Sequence, residues 1–166
     1  QKAVATALSG KLKDKELFFS KELEAQIDEI TRILSGDNFN LYKKRLQESM
    51  LNKGVTAIFY GNSGTGKTES VYQIARRSGR KIFMIDLSQV RSKWFGESEK
   101  QVKKIFDDYK GFLSKTDKEP VMFINEADGL FSRRLKISDS GSSTEQAVNT
   151  MQNIMLQELE NFEGIL

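Results

Sequence analysis

Residues 61–68 read GNSGTGKT, and residues 121–128 read VMFINEAD. The first stretch satisfies G-x-x-x-x-G-K-[ST], a spacing suited to a chain of phosphates. Gly61, Gly64 and Gly66 let the loop curl so that successive backbone N–H groups face inward around a β-phosphate. A helix opening just behind the loop adds its partial positive charge. Lys67 brings a point charge to the β- and γ-phosphates, and Thr68 offers a hydroxyl to Mg²⁺. The expected nucleotide-binding set is Gly61, Asn62, Ser63, Gly64, Thr65, Gly66, Lys67, Thr68 and Glu69. Without correct flanking elements, the same residues would be only a glycine-rich turn with a solvated lysine.

VMFINEAD places an amide and an acid directly after four apolar residues. Ligands of open α/β sheets bind at the carboxyl ends of strands, so Asn125 and Glu126 are expected to point toward the 61–68 loop. The chain contains no His and no Cys. Any catalysis must therefore rest on carboxylates, Lys, Arg and backbone, and Glu126, beside a strand end, is the candidate that polarises an attacking water.

These residues need strands and helices to hold them, and the periodicity supplies both. Leu23, Ile27, Ile30 and Leu34 predict an amphipathic helix opening near Ser20 and ended by Gly36. Phe39, Tyr42, Leu46 and Met50 predict a second helix, closed by Gly54. The short apolar runs VTAIFY (55–60), KIFMIDL (81–87) and VMFIN (121–125) read as buried strands. Between and after them, helical spacing returns at Val71, Ile74 and Ala75, at Val102, Ile105, Phe106, Tyr109 and Leu113, and from about Thr144 to Phe162. SDSGSSTE (138–145) reads as a mobile loop. The alternation defines an α/β layered fold with a mainly parallel sheet, preceded by two helices.

Composition narrows the class. The chain has 166 residues, 30% charged and 38% apolar, with a net charge of +3. That describes one globular domain. No apolar run approaches the ~20 residues that span a bilayer, and no leader sequence is evident at the N-terminus. The absence of Cys fits the cytoplasm, and the mild charge does not favour nucleic acid.

SKWFGESEK (92–100) adds a third element, two aromatics and a glycine before a helix. Taken with GNSGTGKT and VMFINEAD in this order, the chain resembles the AAA family of AAA+ ATPases over roughly residues 17–166. The resemblance implies a three-layer αβα P-loop NTPase fold, with 1–54 as a helical extension and 55–166 as part of the large ATPase subdomain. It implies binding and hydrolysis of ATP with Mg²⁺, assembly into a ring, usually a hexamer, and a polypeptide client. Trp94, Phe95 and Gly96 match the family's first pore loop, which grips that client, although a lone Trp is more often core. RRLKISDSGSSTE falls at the second pore loop, and Phe18 and Phe19 fall where the family often contacts adenine. The family's next strand, following residue 166, is expected between the 55–60 and 121–125 strands. Its sensor, arginine fingers and lid would follow, so residues 1–166 alone are expected to turn over ATP negligibly.

The family usually has Pro in the phosphate loop, where this chain has Asn62 and Ser63; neither removes a backbone donor. Asn125 stands where the family places the Asp that orients Mg²⁺ through water. Losing one charge about 5 Å from a dication removes roughly 6 kcal/mol of gross attraction at an effective dielectric near 20. An amide oxygen still accepts a hydrogen bond from a metal-bound water. The implied result is weaker Mg²⁺ organisation with hydrolysis retained through Glu126. The alternative is a nucleotide-gated scaffold that binds ATP with little turnover.

Overall fold

The computed structural model describes residues 5–8, 16–51, 54–87, 98–131 and 143–166; for 5–8, 98, 129, 131 and 143–148 the backbone alone is described. Its elements in order are β1 (Ala5–Leu8), α1 (Lys21–Leu34), α2 (Asn38–Glu48), α3 (Lys67–Ser78), β2 (Ile82–Asp86), α4 (Ser98–Leu113), β3 (Val121–Asn125), α5 (Asp128–Phe131) and α6 (Ser143–Glu160).

The sheet runs β1-β2-β3, with β1 antiparallel to β2 and β2 parallel to β3. Near its C-terminus, Ile165 forms parallel bridges to both Val55 and Val121. The Val55 and Ala57 amides donate to the Gly164 and Leu166 carbonyls, both at 2.9 Å, and the Met122 amide donates to the Ile165 carbonyl at 2.8 Å. Residues 164–166 thus lie between the 55–60 run and β3. The intervening strand occupies the expected place but starts earlier than expected, inside this chain. The first residues of both flanking runs therefore have backbone partners in 164–166.

Helices cover both faces, which completes the three-layer αβα arrangement. On one face, Ile82, Val121 and Ile165 pack with Ile27 and Leu34 of α1, Phe39 of α2 and Val71, Ile74 and Ala75 of α3. On the other, Phe83, Ile85 and Met122 pack with Val102, Ile105, Phe106 and Tyr109 of α4 and Met151 and Met155 of α6. The two sets alternate along β2 and β3, as a strand buried on both faces requires.

Helix starts follow local chemistry. The Ser20 hydroxyl accepts from the Leu23 amide at 3.3 Å and caps α1. Its last turn gives way to Gly36, at φ +53°, a left-handed conformation that glycine adopts without a Cβ penalty.

Four expectations change. Helix α2 stops at Glu48, and Met50 lies beyond it at φ +55°, 97% exposed rather than on a buried face. The 55–60 run is not a fully buried strand: Val55 and Phe59 pack inward, while Ile58 and Tyr60 are 67% and 91% exposed. No described element covers that second face. Ser143 to Glu145, expected in a loop, belong to α6, and the rest of 138–145 lies outside the described residues. Finally, β1 has no counterpart in the sequence reading, because a four-residue ATAL run is too short to carry a period.

Candidate nucleotide-binding site

The 61–68 loop joins the carboxyl end of the 55–60 run to α3. Its glycines sit at φ +141° (Gly61), +78° (Gly64) and +89° (Gly66), conformations that L side chains rarely adopt. At Gly66 a Cβ would also lie 3.2 Å from Leu17 Cδ2. The Thr65 hydroxyl donates to the Asn62 carbonyl at 2.9 Å and closes the loop on itself. Among the described residues, none accepts a hydrogen bond from the backbone N–H groups of Asn62 to Gly66. A run of unanswered donors at a helix N-terminus is a cradle for an anion.

Lys67 is the first residue of α3, and its ammonium donates to the Gly61 and Asn62 carbonyls at 2.9 and 2.7 Å. The cation is held over the loop by its own backbone, from which a phosphate can draw it. Thr68 is exposed in the first turn. Glu69 is placed differently: its carboxylate lies 3.6 Å from Arg76, and Oε1 is buried without a hydrogen bond. Burial, with Glu69 nearby, raises the Tyr72 phenol above its ordinary pKa.

Across the intervening 164–166 segment, β3 ends at Asn125, half-buried, followed by exposed Glu126. Glu126 adopts φ +57°. A left-handed non-glycine residue costs of order 1–2 kcal/mol, so the turn after β3 holds its acid in a conformation the chain does not prefer. Behind it, Leu130 of α5 is buried, and its carbonyl accepts from the Gln152 side-chain amide of α6. The acid thus stands on a packed support.

Phosphate loop, Asn125 and Glu126 share the carboxyl end of the sheet. The donor set fits a nucleoside triphosphate with a magnesium ion. Among the described residues no group of three or more acids, His or Cys is placed to hold a metal ion. Phe18 is 88% exposed, while Phe19 packs into the core. Sequence reasoning missed Leu17, whose contact with Gly66 appears only once the segment before α1 is folded against the loop. Trp94, Phe95, Gly96 and most of RRLKISDSGSSTE lie outside the described residues.

A phosphate loop at a helix N-terminus, with an acid two strands away at the same sheet end, defines a P-loop nucleotide-binding protein. The model of the AAA family, the ATPase family associated with various cellular activities, matches residues 57–165. The chain is 32% identical over 135 residues to ATPase family gene 2 protein of Schizosaccharomyces pombe, covering 80% of this chain and 15% of that protein. It is 39% identical over 82 residues to Fidgetin-like protein 1 of Homo sapiens, covering 49% and 11%. Its fold is similar to the crystal structure of the FIGL-1 AAA domain at TM-score 0.51 and 22% identity, covering 88% of this chain and 44% of that one. The chain belongs to the AAA family of ATPases, and it spans a small part of the length of these curated relatives. No helix among the described residues is long and apolar enough to cross a membrane.

Proposed function

We propose that this chain is the nucleotide-binding part of a cytoplasmic AAA motor, one that hydrolyses ATP and remodels or unfolds polypeptides threaded through a ring, a hexamer in the intact protein. The observation that carries it is the pairing of an unanswered donor loop, with Lys67 and Thr68, and Glu126 at one sheet end. Lys67 leaves the Gly61 and Asn62 carbonyls for the β- and γ-phosphates. The backbone N–H groups of 62–66 hold the phosphate chain, and the Thr68 hydroxyl is the protein's ligand to Mg²⁺. When bound, Mg²⁺ neutralises charge on the β- and γ-oxygens. Glu126 accepts a hydrogen bond from the attacking water and takes its proton as the water adds to the γ-phosphorus, while the bond from that phosphorus to the β–γ bridging oxygen breaks and ADP leaves with the bonding pair. Trp94, Phe95 and Gly96 act on the client, where an aromatic supplies area without demanding a particular sequence.

Asn125 supports a second reading, a scaffold that binds ATP and assembles with little turnover. One experiment separates the two. In the full-length protein, fluorescent ATP titrations should show Lys67→Ala binding at least about tenfold more weakly than wild type. Glu126→Gln should bind normally and lose on the order of 10²–10⁴ in turnover. Equal affinity in wild type and Lys67→Ala rejects the phosphate loop. Wild-type turnover no faster than that of Glu126→Gln decides for the scaffold.

A further inference from the structure

We propose that Asp86, at the end of β2, gives the metal's water shell the carboxylate that Asn125 does not. The inference rests on the nucleotide-hydrolysing reading above. Successive strand residues face opposite sides of a sheet. On β2, Ile82 belongs to the core beneath α3 and Met84 packs against it, whereas Phe83 and Ile85 belong to the opposite core. Asp86 therefore falls on the α3 side. On β3, Val121 and Phe123 lie on the α3 side, and Asn125 follows them. The parallel register sets Asp86 directly beside Asn125. Acid and amide are neighbours on one face, on strands about 4.8 Å apart.

Their height relative to the phosphate loop follows from Tyr72. Its hydroxyl lies 3.6 Å from Met84 Sδ, and its ring packs edge-on to Phe123 at a centroid distance of 6.2 Å. Tyr72 therefore sits over the rung of Met84 and Phe123. Four residues back along α3, about 6 Å nearer its N-terminus, is Thr68. Two residues on from Met84 and Phe123, roughly 6.6 Å nearer the strands' carboxyl ends, are Asp86 and Asn125. Helix α3 descends from the end of the 55–60 run, and that run is parallel to β3 through Ile165. Both steps therefore lead the same way. Thr68, Asp86 and Asn125 arrive at one level on one face, with Asp86 and Asn125 half-buried.

The charge lost at Asn125 is thus replaced one strand further along. Coulomb attraction falls inversely with distance, so doubling the separation keeps about half of it. Through metal-bound waters, a carboxylate at Asp86 acts as a positioning group while Asn125 accepts one of the intervening hydrogen bonds.

The test measures fluorescent ATP affinity of the full-length protein with and without Mg²⁺. Asp86→Asn should cut the magnesium-dependent gain in affinity about tenfold and leave metal-free affinity within about twofold. Combining Asp86→Asn with Asn125→Asp, which moves the charge back, should restore the gain. A purely structural Asp86 would change both affinities and would not be rescued. Asn125→Asp alone, which adds a second carboxylate beside Asp86, should raise the gain by less than the double variant regains over Asp86→Asn. A gain unaltered in Asp86→Asn, absent rescue, or an approximately tenfold improvement in Asn125→Asp alone each overturns the role of Asp86 while nucleotide binding stands. A wild-type protein that binds no fluorescent ATP overturns the nucleotide reading, and Asp86 with it.

Discussion

At the amino ends of β2 and β3 buried polar groups tie neighbouring elements together, whereas beyond the carboxyl ends lie the exposed residues of the phosphate loop and Glu126. Arg80, just before β2, is 8% exposed. Its guanidinium donates to the Leu34 carbonyl at 2.9 Å and to the Glu119 carbonyl at 2.7 Å, and lies 4.8 Å from the Phe39 ring centre. Burial lowers its pKa, and the Glu119 carboxylate opposes that shift. Lys43 bridges to Glu119 at 3.0 Å, and Tyr109 donates to the Pro120 carbonyl at 3.1 Å. One end thus ties α1, α2 and α4 to the sheet. The other keeps Lys67 on weak backbone acceptors, Thr68 exposed and Glu126 at positive φ. The buried polar ties and the candidate phosphate site are thus segregated along the strand axis, and altering one end is expected to leave the other largely unaffected.

Substitutions can break that segregation. Arg80→Ala removes a buried cation and leaves two carbonyls short of a donor, so a loss of about 3 kcal/mol is expected in denaturant unfolding. Affinity for ATP in the folded fraction should stay within about twofold; a tenfold fall would show that the two ends communicate.

Tyr109→Phe removes one buried hydrogen bond, worth about 1 kcal/mol. It also has a pH signature. Burial, then the nearby Glu119 charge, raises the Tyr109 phenol well above the usual tyrosine range. A folded-state pKa above the unfolded one gives stability that is present below the unfolded pKa, about 10, and lost as pH rises beyond it. Wild type should therefore lose stability above about pH 10, and Tyr109→Phe should lose less. The raised Tyr72 phenol leaves some dependence in the variant. Identical slopes would place Tyr109 in water.

The smallest effect belongs to Trp94, in the segment that follows the carboxyl end of β2. A pore residue should cost under about 0.5 kcal/mol in Trp94→Ala, as exposed positions do. A core tryptophan would cost about 3–5 kcal/mol, and thermal unfolding tells them apart.

The segregation explains what was legible beforehand. The phosphate loop and VMFINEAD could be read because backbone curvature and phosphate chemistry demand particular residues at fixed spacing. Strands β2 and β3 could be read because burial on both faces demands continuous apolar runs. Helix α2 was read too long, since Met50 kept the helical period after the helix had ended. The 55–60 run was read as buried because an apolar run does not report which face its neighbours cover. Asp86 beside Asn125, Leu17 against Gly66 and Arg80 across three elements are long-range placements. No local period announces them.

The bridges of Ile165 to Val55 and Val121 also set an order of events during folding. Among the described residues, every backbone bond between the 55–60 run and the rest of the sheet is made to 164–166. Those partners lie more than 100 residues apart in sequence, and closing so long a loop is entropically costly and slow. On the ribosome, β2 and β3 can pair while the phosphate-loop run still waits for its neighbour to emerge. The amides of Val55 and Ala57 should then be among the last protected in pulsed hydrogen exchange, so competence to bind nucleotide is acquired late and reports that the sheet has closed.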